Sequence, residues 1–529
     1  MSSSLNNQNE SPFGNPRFIV SIIAVFIFLW GWQYYVNKEY PQPLTRPAAV
    51  SGANTASVIT QKEPMSTVVA TEKNTNSETI SASEKLYSYE DKKIKWTISS
   101  RGLGLSSLEL KTYTDKDKKP IVFSSAEKLF AVLADSEVVH FVVTKLSDTQ
   151  YIGLANINGK DFKRSIKYDK DTMAFESDVE FDAAPTRISF STTDIKHTPS
   201  SSNFLMPSFE IQNFLFKDHE KVKTEDISHL EESETLSKTA TNVTLASIGT
   251  QYFTQSYIDR SDILPSINME VAGKQAKLDI HYNLKDSKII KISNLIYIGP
   301  KSTEILNKID PLLPEVMDLG IFGFIAKPLL LLMKFLHGIF GNWGVAIIAL
   351  TIIMRLLMLP FNIVSFKSAR AMQKIQPQLA AVREKYKNDP MSVNRETMAM
   401  MKEHNANPLS SCLPMLIQIP IFFALWKTIG SSIEIYQQPF FGWITDLSAY
   451  DKFFVLPILM GITMYFQQKL TPTTMDPMQA KILNFMPLLF SIFMISLPSG
   501  LTLYNFISAL FGVVQQYFLL KDNTKVQHA

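Results

Sequence analysis

Arg355 is the residue whose position most demands a chemical account. It lies inside an apolar run, residues 339–359, that carries no other charge. Such a run is long enough to cross a bilayer as a helix, because a helix satisfies its own backbone donors and acceptors. A guanidinium at mid-bilayer costs roughly 2.5–3.5 kcal/mol on insertion scales. Arg355 stands five residues before Pro360, about 7 Å along a helix, so snorkelling toward headgroups is the plain explanation. Two observations favour a hydrated cavity instead. Thr351, one turn earlier on the same face, offers a hydroxyl, and no Asp or Glu occurs in this run or in the four apolar runs that follow it. A buried guanidinium without a carboxylate has to be met by water, polar side chains or a visiting anion.

The following runs supply polar groups for such a cavity. Gln418 sits between Pro414 and Pro420, which free backbone carbonyls and bend a helix. Asn505, Ser508, Gly512 and Gln515 recur at steps of three, four and three, one helical face. For Ser508 and Gly512 alone, helix packing is the better reading. For Arg355, Thr351, Gln418 and Asn505 together, a water-filled groove is. Lys427, nearer the other end of its run, is explained by snorkelling.

These residues need a membrane scaffold, and the charge distribution provides one. The chain has 529 residues with 52 Lys+Arg, 49 Asp+Glu and 46% apolar residues. Beyond residue 310 the sequence is charge-poor, with 17 basic and 11 acidic residues, whereas the first 310 residues are charge-rich. The predicted class is a multi-span α-helical membrane protein of six transmembrane helices with a large external all-β sandwich. A cytoplasmic 1–17 precedes an N-terminal anchor at 18–36, whose Trp30, Trp32, Tyr34 and Tyr35 suit an interfacial belt better than a cleavage site. Residues 37–83, rich in small polar residues and Pro, form a flexible tether. Residues 84–310 alternate with period two, as in Ile94, Trp96 and Ile98, and predict the β-sandwich. Residues 311–338 are an interfacial helix region, with Lys327 and Lys334 snorkelling. Residues 339–520 hold five spans (339–359, 413–433, 453–468, 482–497 and 501–520), and 521–529 are a short tail.

Loop charges orient this scaffold. Residues 362–412 carry eight basic side chains, and 433–452 carry three acids and one lysine. The positive-inside rule therefore places both termini in the cytoplasm and the β-domain outside. Within the first of these loops, 365–405 reads as a helical hairpin, with Met372, Ile375, Leu379 and Val382 at helical spacing and a turn at Asn388-Asp389-Pro390. A Met-rich face suits varied apolar partners; a solvated hairpin packed on itself accounts for the pattern equally well.

Soluble-enzyme chemistry is poorly supported. One cysteine, Cys412, rules out a Cys-rich metal site or an intrachain disulfide. No phosphate-binding loop, HExxH or GxSxG occurs, and no basic block marks a nucleic-acid stripe. We expect no catalytic residue, metal or cofactor.

Several motifs then resemble a known family, the YidC membrane protein insertases. They are Gly341-Asn342-Trp343-Gly344, Ala349-Leu350-Thr351 with Arg355, and Asn407-Pro408-Leu409 leading into Pro414-Met415-Leu416-Ile417-Gln418-Ile419-Pro420-Ile421-Phe422. Leu456-Pro457-Ile458-Leu459-Met460-Gly461, Asp476-Pro477-Met478-Gln479 and Pro498-Ser499-Gly500-Leu501 with Leu503-Tyr504 agree. The anchor, tether and β-domain are similar in arrangement to the Gram-negative form of that family. The resemblance implies a bacterial inner-membrane insertase and chaperone that places nascent membrane proteins in the bilayer through a groove open to cytoplasm and lipid, without nucleotide hydrolysis, alone or with the Sec translocon. Arg355 would be the groove arginine, Thr351, Gln418 and Asn505 its lining, and Tyr504 part of the substrate-contacting face. The hairpin would receive substrate and meet the ribosome or targeting machinery, with Lys374, Arg383, Met372 and Met401 as contacts. The short tail, with Lys521 and Lys525 its only basic residues, weakens any tail-based ribosome contact. The external domain would resemble sugar-binding super-sandwiches, but no carboxylate constellation supports sugar chemistry. The rival reading is a polytopic solute transporter or channel.

Overall fold

The computed structural model describes residues 84–526 except 116, 158, 183–184, 197–209, 219–220, 286–290, 388, 405–407 and 472–476; side chains are also left aside at 160, 408–415, 477–483 and 522–526. The expected anchor at 18–36 and tether at 37–83 lie outside the described residues.

Strands occupy the described chain from Leu86 to Pro300. A nine-stranded antiparallel sheet runs through Lys221–Asp226, Gln212–Asp218, Val243–Thr250, Phe253–Asp259, Lys291–Pro300, Ala174–Phe181, Lys160–Tyr168, Gln150–Ile157 and Val142–Lys145. A six-stranded sheet runs through Leu236–Ala240, Ser266–Ala272, Gln275–Asn283, Arg187–Ile195, Ala131–Ala134 and Glu137–Val138. The two face each other: the Phe190 and Tyr257 rings are 5.4 Å apart and the Tyr257 and Tyr282 hydroxyls share a 2.8 Å hydrogen bond. A four-stranded sheet, Leu86–Glu90, Ile94–Ser99, Leu105–Thr114 and Pro120–Leu129, completes the domain. Ile94, Trp96 and Ile98 point into the core with no exposed surface while Lys95 faces water, the period-two pattern of a half-buried strand. Lys291–Pro300 departs from that pattern, being buried at almost every position. Both faces of the nine-stranded sheet are covered: Ile292, Ile296 and Ile298 join the sandwich core, and Leu295 and Tyr297 join the core of the helical half.

The helical half begins with α1 (Thr303–Ile309) and a 3-10 turn (Leu313–Met317) against that outer face. Then come α2 (Gly323–Phe340), α3 (Trp343–Lys385), α4 (Pro390–Glu403), α5 (Pro408–Ser431), α6 (Val455–Leu470), α7 (Pro477–Met494) and α8 (Ser499–Val526). Gly341 ends α2 in the left-handed region, φ 66°, with its N–H donating to the His337 carbonyl; only glycine takes that conformation freely. Asn342 caps α3 by accepting from the Val345 N–H at 3.1 Å. Asp389 caps α4 through the N–H groups of Met391 and Ser392, with Pro390 at the first helical position.

Two sequence expectations change here. The first span and the first hairpin arm are one helix of 43 residues, with Pro360 and Pro377 inside it. Among the described residues, three helices are long and apolar enough to cross a membrane, 323–340, 343–385 and 499–521; 416–431 and 484–494 are shorter apolar helices. The expected six are not confirmed on that measure: the anchor at 18–36 lies outside the described residues, α6 has only 16 residues, and polar or undescribed ends shorten others. The helix read as interfacial, α2, meets the length and composition of a span. Its contacts are nevertheless gathered near one end of its neighbours. Thr428, three residues before α5 ends, donates to the Ala326 carbonyl at 3.3 Å, and His337 stacks at 4.0 Å on Trp343, where α3 starts.

The candidate groove between three helices

The polar residues of the apolar helices come together where α3, α5 and α8 meet. Arg355 donates from Nε to the Ser508 hydroxyl at 2.7 Å and from Nη2 to the same oxygen. Gln418 donates from Nε2 to the Tyr504 hydroxyl at 2.8 Å. Tyr504 and Ser508 are one turn apart on α8 and close enough to couple, so a polar chain links α5 to α3 across α8. No hydrogen bond from Nη1 and no carboxylate partner of Arg355 occurs among the described residues. One heptad further along both helices, Asn362 donates to Gln515 at 3.4 Å. Arg355–Ser508 and Asn362–Gln515 are thus two rungs seven residues apart on each helix, the spacing that keeps one seam between parallel helices.

Two expected members sit elsewhere. Thr351 is fully buried and closes on its own helix, donating to the Ile347 carbonyl at 2.7 Å; its methyl-bearing side chain packs rather than lines. Asn505 turns away, donating to the Leu501 carbonyl at 2.9 Å and toward the Met494 sulfur on α7. The predicted stripe on α8 therefore splits. Ser508 and Gln515 face α3, while Gly512 lies against Gln467 of α6. Ser508, which sequence reasoning assigned to packing, is the partner of Arg355. The signal that could have found it is the shared spacing of seven in Arg355/Asn362 and Ser508/Gln515.

The surroundings are open on one side and closed at one end. Ile352, Leu356, Leu416 and Ile419 flank the polar chain and are exposed, apolar surface suited to lipid or an apolar segment. At the end nearer the β-domain the helices pack shut. A Cβ on Gly344 would fall 2.0 Å from the Phe440 ring, and one on Gly500 would meet Leu447, Ile429 and Ile347 within 3.3 Å. The loop from α5 to α6 makes this closure and is held by the β-domain. Gln437 donates to the carbonyls of Thr114 and Asp115, each at 2.9 Å, and accepts from the Thr114 hydroxyl at 2.7 Å. Tyr436 donates to the Thr114 carbonyl at 2.8 Å, and its ring lies 4.7 Å from Tyr252.

Two helical arms pack together here, presenting different methionines from those expected. Met372, Ile375 and Leu379 make a small core with Met400 and Met401, so Met372 and Met401 bind the two arms to each other. Met391 and Met398 are the exposed ones, at 83% and 74%. Lys374 and Arg383 are exposed. No group of acidic, His or Cys side chains able to hold a metal occurs among the described residues.

A β-sandwich joined to an apolar helical bundle, with an acid-free polar seam inside it, defines a polytopic membrane protein with a folded domain on one side. Residues 335–526 match the family of the 60Kd inner membrane protein, and residues 87–332 match the YidC periplasmic domain. A membrane protein insertase YidC of Campylobacter jejuni is 38% identical over 62% of this chain and 60% of its own length. One from Geobacter sp. strain M21 is 46% identical over 44% of this chain and 43% of its own. A solved structure titled as an active YidC insertase with its first transmembrane domain resolved is 19% identical, covering 83% of this chain and 95% of that one, with a TM-score of 0.36. Both halves of the chain are thus similar to parts of YidC proteins. The chain's alignments span about 60% or less of the curated relatives it matches.

Proposed function

We propose that this chain is a membrane protein insertase of the inner membrane, acting without catalysis and without a cofactor. The observation that carries the reading is Arg355: a partly buried guanidinium in an acid-free seam, bonded among the described residues to the Ser508 hydroxyl alone, with Nη1 beside exposed apolar residues. Its donors are available to the polar or acidic end of an incoming segment. Arg355, Gln418, Tyr504 and Ser508 form the polar strip of a groove closed on the β-domain side. Thr351 and Asn505 shape its walls through packing.

A short polar tail crossing bare hydrocarbon costs several kcal/mol for each unpaired polar group. A polar strip lowers that barrier, and Arg355 adds a positive field that attracts acidic tails. The membrane potential, positive outside, draws each negative charge outward by about 2.3 kcal/mol per 100 mV. The apolar segment then leaves sideways into lipid, driven by burial at about 25 cal/mol per Å².

In this reading six helices span the bilayer, both termini are cytoplasmic and the β-domain is periplasmic. The α2 helix lies shallowly along the outer leaflet, in keeping with its contacts to the ends of α3 and α5. Nascent membrane proteins are the substrates, and the hairpin meets them with the ribosome or targeting machinery through Lys374, Arg383, Met391 and Met398. The Sec translocon is a further partner.

The test is reconstitution into liposomes, scoring protease-protected insertion of a single-span protein with a short acidic tail. Insertion above empty liposomes is expected, with Arg355→Ala impairing the acidic-tailed protein much more than a neutral-tailed version. Equal impairment of both would remove the electrostatic part. Solute flux without insertion would establish the transporter reading instead.

A further inference from the structure

Where the β-domain meets the bundle, Lys301, Asp318 and Lys427 share one small region. Lys301 follows the last strand and is only 4% exposed, yet its ammonium makes no hydrogen bond or ion pair among the described residues. Burial pushes it down to about 8, and it lies within electrostatic range of both Asp318 and Lys427. Asp318 sits in a left-handed turn, φ 36°, and reaches Lys427 only loosely, at 3.8 Å. The turn at Gly320 lies against the stem of Lys427, the Lys427 Cε being 3.9 Å from a Cβ placed there. Two ammonium groups therefore face a single carboxylate, leaving one positive charge unanswered at a nearly buried position, which is costly without a counter-ion.

The surface beside this charge is apolar and ordered by depth. Phe423, one turn before Lys427 on α5 and so about 6 Å further from the β-domain, is 45% exposed and stacks 6.0 Å from Phe322. Ile321 and Phe324, from the start of α2, are 85% and 67% exposed. Cationic groups on the β-domain side with exposed apolar side chains directly beneath match an amphiphile whose anionic head lies above its chains.

We propose that this junction binds a phospholipid of the leaflet on the β-domain side, with Lys301 and Lys427 holding its phosphate and Ile321, Phe324 and Phe423 its acyl chains. Asp318 opposes the phosphate and sets how tightly it is held. A phospholipid here would tie the β-domain, through Lys301, to α2 and α5 at once.

The test uses the purified full-length protein in detergent, with binding read by native mass spectrometry against added dioleoyl-phosphatidylglycerol, dioleoylglycerol and inorganic phosphate. Phosphatidylglycerol is expected to be retained and dioleoylglycerol not. Lys301→Met and Lys427→Met should each weaken retention about tenfold, the loss of one charge-assisted contact. Asp318→Asn should tighten it, and this variant keeps the test decisive if a lysine variant fails to fold. Equal retention of dioleoylglycerol, or no change in any of the three variants, overturns the proposal. Displacement of phosphatidylglycerol by millimolar inorganic phosphate overturns it too, in favour of a free-anion site.

Discussion

The β-domain and the helical bundle each hold an arginine with no carboxylate partner among the described residues, and they treat it in opposite ways. Arg164 has no exposed surface. Its Nη1 donates to the carbonyls of Gly102 at 2.6 Å and Phe130 at 2.9 Å, its Nε donates to Ser177 at 3.2 Å, and its guanidinium lies 5.4 Å from the Phe190 ring. Burial pushes it down to about 9, and its Nη2 faces no partner among the described residues. Among the described residues, Arg355 bonds one hydroxyl and no backbone. The first arginine is consumed in joining strands from different sheets; the second is left with donors to offer. The same residue type without an acid is a structural tie in one place and, in the proposed function, a binding group in the other, and what distinguishes them is the number of backbone carbonyls they satisfy.

The sharpest way to break that comparison is to remove each arginine in turn. Arg164→Met takes this donor from the Phe130 carbonyl and leaves the Gly102 carbonyl with the Val132 N–H, and should cost about 1–3 kcal/mol in urea unfolding followed by tryptophan fluorescence. Arg355→Ala should leave that midpoint unmoved. Equal losses would mean that Arg355 is also a tie.

Acidity should separate the two regions next. Asp259 in the β-domain is held up to about 6, mainly by burial, although Tyr282 donates to it. Between the usual carboxylate value near 3.8 and about 6, the folded chain keeps a proton that the unfolded chain has released. Stability from this group therefore falls as pH rises through that window. Asp259→Asn should flatten that part of the pH profile, and a wild-type slope surviving in the variant would assign it to another group.

Gln437→Ala removes three hydrogen bonds between the regions and should loosen them by about 1–2 kcal/mol. Faster hydrogen exchange at residues 113–115 and 436–438, with the rest of each region unchanged, is the expected signature. Ser508→Ala should be the mildest change, about 1 kcal/mol for the loss of one hydroxyl partner of Arg355, with insertion of acidic-tailed proteins retained. A loss as large as that of Arg355→Ala would make Ser508 a required orienting group.

The two regions were also unequally readable in the sequence. Alternation exposed strands such as Ile94–Ser99, yet it could not show that Lys291–Pro300 would be covered on both faces, since the second cover comes from helices far along the chain. Apolar length marked α3, but Pro360 was read as its end. A proline forfeits one backbone hydrogen bond, and the α3 helix tolerates that loss where its neighbours pack. Helical spacing singled out Arg355 and Gln418, which both lie in the seam. It misassigned Thr351 and Ser508 because a hydroxyl can turn to its own backbone or across to a neighbour, and periodicity does not record which. The docking of Gln437 against Thr114 joins residues 323 positions apart, and no local pattern announces it.

The 43-residue α3 can finally be viewed as a post with a joint. Its first turns are clamped between Phe440 and the neighbouring helices, and Arg355 belongs to that clamped section. Pro360 lies just beyond, where one missing backbone bond makes the helix easiest to bend, and the hairpin arm continues for about 37 Å past it. A load on the hairpin would therefore swing the arm about the proline while the arginine stays with its post. The Asn362–Gln515 contact, at 3.4 Å the longer of the two rungs and already on the swinging side, is the strap that would part first. In the proposed function, cargo capture on the hairpin arm and charge recognition at Arg355 would in this way be mechanically insulated, although one unbroken helix carries both.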